Sequence, residues 1–146
     1  MKSKALVALA FVAILGICVY VVLTHIADGD VARLEKFEAE YKNFDAAISE
    51  QAVSEAGGAL DLLKSEAEER LSSAIKNDAC LMQTEHQIVN LADQELGYLS
   101  TYRAAIQNQA TDSDASSSSL GEVTAQRKAA YIRFQILMRA PPRAAC

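Results

Sequence analysis

Tryptophan is absent from this 146-residue chain, and five tyrosines with four phenylalanines make up only 6% of it. A wide core filled with rings is therefore excluded, and narrow helix–helix seams of Ala, Leu and Ile fit the composition better. Histidine is scarce too. His25 and His86 are the only two, and neither has the paired Cys or His neighbours that a structural zinc site needs. Cys80, Met82 and His86 could form at most a weak soft-metal set, and a plain histidine on a helix surface is the simpler reading. No Gly-x-Ser-x-Gly, Walker-type or Gly-x-Gly-x-x-Gly pattern occurs, so serine nucleophiles and phosphate cradles lack their usual context. Adjacent acids such as Glu68 and Glu69, in an Ala/Glu-rich stretch, read as a solvated face. The chain is read as no enzyme, with no cofactor and no metal site.

Charge of one sign is missing or nearly missing at each end. Residues 1–27 carry Lys2 and Lys4 and no acid, and residues 115–146 carry five bases against one acid. Between them, residues 28–114 hold 18 acids against 7 bases, so the net charge of -5 hides a segregated pattern. An acidic body excludes nucleic acid as the expected partner, because phosphate binding needs a concentrated basic face. The basic tail can pair with that body, with anionic lipid or with another subunit.

From Ala5 to Ala27 the chain reads ALVALAFVAILGICVYVVLTHIA, with no Asp, Glu, Lys or Arg. A helix rising about 1.5 Å per residue over this run spans the hydrocarbon layer of about 30 Å. Tyr20 and His25 fall near its far end, where amphipathic rings suit the interface. A cleaved signal fits less well: the run is too long, and His25 stands where a small residue should precede the cleavage site after Ala27. Cys18 follows Leu15-Gly16-Ile17, but Ile17 departs from a lipoprotein box and apolar sequence continues beyond it. The expectation is an uncleaved single-pass anchor over 1–27 in membrane lipid. The body is expected outside the cytoplasm, across a bacterial inner membrane.

Downstream, the fold class expected is all-α: a slender antiparallel helical hairpin or bundle with coiled-coil-like seams, over 28–110. Leu34, Tyr41 and Ile48 are seven apart, and Phe37 and Phe44 fill the alternate sites of the same heptads. Glu35, Lys36, Glu38, Glu40, Lys42 and Asp45 read as the solvated side. Gly57 and Gly58 predict a turn between helices over 28–56 and 59–110. Leu60, Leu63, Ala67, Leu71 and Ala74 make a second stripe. Ile88, Ala92, Leu96, Leu99, Tyr102 and Ile106 make a third, with Gly97 permitting close helix approach.

Residues 111–122, TDSDASSSSLGE, lose all apolar period and predict a flexible linker. The basic segment 123–146 is expected to dock, more helix than strand, through Tyr131, Ile132, Phe134 and Ile136. Plotted as a helix, it is apolar on two sides, because Ile132 and Ile136 fall opposite Phe134 and Leu137. Cys80 and Cys146 are candidates for a disulfide, within or between chains, if their compartment is oxidising.

The functional expectation is a membrane-anchored structural or accessory subunit, bound to other subunits or to itself through helix faces. The order of parts also resembles a bacteriophage inner-membrane spanin: anchor, helical stalk, low-complexity break, short last element and terminal Cys. That resemblance lies in the plan of the chain and implies a lysis role; Gly57-Gly58 departs from it. A helical sensory or ligand-binding ectodomain is the third expectation.

Overall fold

The structure is a computed structural model. It describes the backbone of residues 2–72, 79–108 and 113–139, with side chains at 14, 16–20, 31–68, 79–108 and 117–139. Four helices occur among the described residues: α1 (Lys2–Ser49), α2 (Val53–Ser72), α3 (Ala79–Gln107) and α4 (Ser113–Arg139). The chain divides into two units, Met1–Glu35 and Lys36–Cys146.

In the first unit, the described apolar side chains from Ile14 to Tyr20 are bare. Ile14, Ile17, Val19 and Tyr20 are 55–69% exposed. The transmembrane helix expected over 5–27 gains no support, since no helix is long and apolar enough to cross a membrane among the described residues. Most of that run, including Ala5–Ala13 and residues 21–27, lies outside the described side chains.

The second unit is an antiparallel bundle of the last turns of α1 with α2, α3 and α4. Three side-chain contacts fix the α1–α4 register: Phe37 with Phe134, Tyr41 with Tyr131, and Asp45 with Arg127. Each step of about one turn up α1 descends about one turn of α4, which is antiparallel packing. Lys36 pairs with Glu66 of α2, and α3 packs against both α2 and α4. α2 and α4 therefore stand at opposite corners and run in the same direction.

The heptad residues of α1 face inward. Phe37, Tyr41, Phe44 and Ile48 are buried at 9% exposure or less. Leu34, at the end of the first unit, is half-buried. Each buried side chain of this size contributes about 1.5–3 kcal/mol of transfer free energy, so the seam is a main source of bundle stability.

Two local expectations are overturned. Gly57 and Gly58 lie inside α2 and form no turn. Ala56, Leu60, Leu63 and Ala67 bury one stripe that runs straight past them. Burial of that stripe outweighs about 1 kcal/mol per glycine of lost helix propensity. The reversal comes earlier, at Glu50–Ala52. There Ala52 N–H donates to Ala47 O at 2.8 Å and Gln51 N–H to Ile48 O at 3.0 Å, while Gln51 takes a φ of 56°. This pair of bonds is a Schellman cap with glutamine at the left-handed position usually given to glycine. Arg103 of α3 donates to Gln51 O at 2.8 Å and holds it there.

The linker is overturned too. Residues 113–122 form the first turns of α4, continuous with the segment read as a separate docking element. Serine is a mediocre helix former, not a breaker, and a helix anchored further along propagates through it cheaply. Val123, Ala130, Phe134 and Leu137 supply that anchorage by burial in the bundle.

Candidate functional site

Two features stand out from a bundle of ordinary seams: a charged cluster in its centre and an uncovered apolar stripe on its outside. Both belong to α4.

The cluster begins with spacing. Val123, Arg127, Ala130, Phe134 and Leu137 recur at three and four residues, so one arginine occupies a core position. Arg127 is fully buried. On α3 the buried positions include Ile88, Ala92, Glu95 and Leu99, which puts a fully buried glutamate opposite it. Arg127 donates through Nε to Glu95 Oε2 and through Nη2 to Asp45 Oδ1 of α1, at 2.6 Å for the latter. Thr124 adds its hydroxyl to Glu95 Oε1 at 2.5 Å.

Aromatic rings close the cluster. The guanidinium carbon lies 5.0 Å from the centre of the Tyr41 ring and 5.2 Å from that of Phe44, within cation–π range. Nη1 of Arg127 is a buried nitrogen without a hydrogen-bond partner, so the ring faces carry part of its electrostatic cover. Tyr41 in turn stacks on Tyr131 at 3.7 Å and 7°. Tyr131 donates to Glu38 Oε1 at 2.9 Å.

Protonation states follow from these contacts. Burial pulls the Arg127 pKa down, but hydrogen bonds to Glu95 and Asp45 outweigh it and the net shift is upward. Burial pushes the Tyr41 phenol up to about 12. The Tyr131 phenol also rises, from burial first and then from its bond to Glu38. Bonds from Lys42 and Tyr131 hold the Glu38 carboxyl below its ordinary value. The cluster thus keeps a permanent cation between two carboxylates, with neutral phenols beside it. Its chemistry suits fixing helix register rather than moving protons.

The outward stripe comes from the other side of the same helix. Ala125, Ala129, Ile132 and Ile136 fall on one face, and Ile132 and Ile136 are 57% and 62% exposed. Lys128 and Arg139 flank it on one edge and Arg133 on the other, all exposed. A groove between α1 and α4 adjoins it, lined by Tyr41, Lys42, Ala46, Lys128, Tyr131 and Ile132 among others.

The residues expected to dock therefore separate. Phe134 is fully buried and Tyr131 half-buried against the chain's own α1, while Ile132 and Ile136 face out. The seam of Phe37, Tyr41, Phe44 and Ile48 is filled from within the same chain. Cys80 is buried and disulfide-bonded, and Cys18 is a free, exposed thiol. Cys146 lies outside the described residues. The disulfide removes Cys80 from the Cys80, Met82, His86 set, because a metal needs the free thiolate.

Sequence reasoning missed Arg127, Glu95 and Asp45. The signal was available: Glu95 falls between Ala92 and Leu99 at core spacing, and Arg127 between Val123 and Phe134 likewise. A base at core spacing on one helix and an acid at core spacing on another are candidates for a buried pair, although Glu85 is a second buried acid on α3. No family model matches this chain, and no match is found among the curated proteins or the solved structures.

Proposed function

We propose that this protein is a membrane-anchored helical subunit that works by presenting helix faces to other subunits or to copies of itself. The observation that carries the reading is the stripe of Ala125, Ala129, Ile132 and Ile136, a second apolar face that the bundle does not use. Apolar side chains in such a row, edged by charge, gain free energy when a partner covers them.

The anchor rests on the uncharged run Ala5–Ala27, long enough to cross a bilayer, and on the bare Ile14, Ile17 and Val19 within it. The compartment rests on Cys80. A disulfide at a buried cysteine suits an oxidising space, outside the cytoplasm. With Cys18 free, Cys146 is the partner we assign to it, which ties the chain's end back to α3.

The spanin plan calls for a low-complexity break before the last element, whereas residues 113–139 are one helix of the bundle. The accessory-subunit reading needs no such break.

The test is extraction of the full chain from its own membranes in mild detergent, followed by sizing. A complex larger than one chain is expected, reduced to the monomer by Ile132→Glu with Ile136→Glu. Recovery of the unaltered chain as a monomer, or from the aqueous fraction without detergent, overturns the reading.

A further inference from the structure

The bundle carries a second uncovered stripe, on α2. Glu55, Gly58, Asp61, Leu62, Ser65 and Glu68 are all exposed on one face of that helix. Leu62, 49% exposed, is its one large apolar side chain. The face is acidic and built of small residues around a leucine. The outward face of α4 is its opposite: basic, with two isoleucines among alanines.

Their heights match. Glu66 stands beside Lys36, and Phe134 beside Phe37, so residue 66 of α2 and residue 134 of α4 lie at neighbouring levels. The two helices run the same way, which sets Leu62 within about one turn of Ile132 in height. By the same count Asp61 falls near the level of Lys128 and Arg133, and Glu68 near that of Ile136 and Arg139. They cannot meet within one chain, because α2 and α4 occupy opposite corners. Two copies standing side by side with the same orientation bring them to within about one helical turn of each other.

The carboxylates on the α4 side do not spoil the match. Asp45 is committed to the buried Arg127 and Glu38 to Tyr131, while Lys128 stays half-exposed, 3.9 Å from Asp45. Around Ile132 and Ile136 the rim that α4 presents outward is therefore positive, and the exposed Glu122 lies about three turns nearer the start of the helix.

We infer that the occupant of the α4 stripe is a second copy of this chain, docked through its acidic α2 face around Leu62. The contact is head-to-tail: each copy offers α4 to one neighbour and α2 to the other, so copies form rows or closed rings. The patch on each side is small, and confinement of anchored chains to one surface supplies the effective concentration that makes it count. This inference rests on the proposed reading of the protein as a helix-presenting subunit, and narrows it to one partner.

Thiol pairing in native membranes tests it, with the full chain carrying Cys18→Ser to silence the free thiol. Ile132→Cys in one tagged population and Leu62→Cys in a second, co-expressed, are expected to give disulfide dimers containing both tags. A chain carrying both substitutions is expected to give a ladder of higher oligomers. Lys128→Glu with Arg133→Glu should lower the mixed dimer about tenfold or more, the effect of roughly one lost ion pair in a shielded setting. Asp61→Lys with Glu68→Lys on the other population should restore it, a rescue that a misfolded chain would not show. Dimers of Ile132→Cys with itself alone, or no dimer in any combination, overturn the inference. Capture of a different protein at Ile132→Cys, without self-pairing, overturns it too while leaving the accessory-subunit reading standing.

Discussion

Arg127 of α4 and Glu95 of α3 are both fully buried and joined through Nε and Oε2, a charge pair sealed in the middle of a small bundle. Taking both charges out of water costs several kcal/mol per ion, and their attraction offsets this only while both are present. Arg127→Ala is therefore expected to destabilise the bundle by about 3–5 kcal/mol, because it strands the Glu95 carboxylate. Arg127→Met combined with Glu95→Leu should recover most of that loss. Chemical denaturation of the unaltered chain, Arg127→Met, Glu95→Leu and their combination in a double-mutant cycle measures the coupling; a double variant as unstable as Arg127→Met alone would refute the pairing argument.

Gly57→Ala and Gly58→Ala distinguish a helix from a turn at those positions. A Cβ built on either glycine meets nothing within 4 Å, and both have ordinary helical φ. Each substitution is expected to stabilise the chain by about 0.5–1 kcal/mol. A fall in melting temperature would return the turn to this site.

Gln51 bears the strain of the real reversal. A side chain in the left-handed region costs about 1–2 kcal/mol relative to glycine. Gln51→Gly should raise stability by about 1 kcal/mol, with the backbone bond from Arg103 retained. Thermal unfolding read by circular dichroism is sufficient.

The pH response has a sign at each end. Tyr41 and Tyr131 have folded pKa values raised above the ordinary 10.0, so their neutral forms favour the native state. Their contribution is complete below pH 10.0 and is lost as pH climbs from there through the folded values. Glu38 is lowered from 4.5, so its contribution is complete above that value and is lost as pH falls through its folded pKa. Stability of Tyr41→Phe should decline less steeply above pH 10.0 than that of the unaltered chain. Equal slopes would remove Tyr41 from the alkaline transition.

The disulfide at Cys80 is expected to appear in peptide mapping as a link to Cys146, with Cys18 open to alkylation. Reduction should lower stability by about 2–4 kcal/mol, the usual range for closing a loop of this kind. A Cys80 peptide that alkylates without reductant would overturn both the pairing and the oxidising compartment.

Several elements were legible in the residues alone. The four-three spacing of Phe37, Tyr41, Phe44 and Ile48 leaves one helix face to bury, and these four are buried. The two apolar sides of 123–139 were visible as well, Ile132 and Ile136 against Phe134 and Leu137. The turn at Gln51 was hidden because its residue is conformationally unusual and carries no glycine mark. Gly57 and Gly58 drew the reversal to the wrong place for the same reason, since permissive residues report what the chain can do and not what packing selects. The serine run was misread because low apolar content removes the periodic signal without forbidding helix.

Sequence by itself determined the helical class, the acidic body with its basic end, and the buried face of the α1 seam from Phe37 to Ile48, because these follow from local spacing and composition. Tertiary structure alone decided how many helices share the core, where the chain turns back, and that Arg127, Glu95 and Asp45 meet. Those depend on contacts between residues up to 97 positions apart, whose free energy exists only once the helices are packed together and water has been excluded from between them.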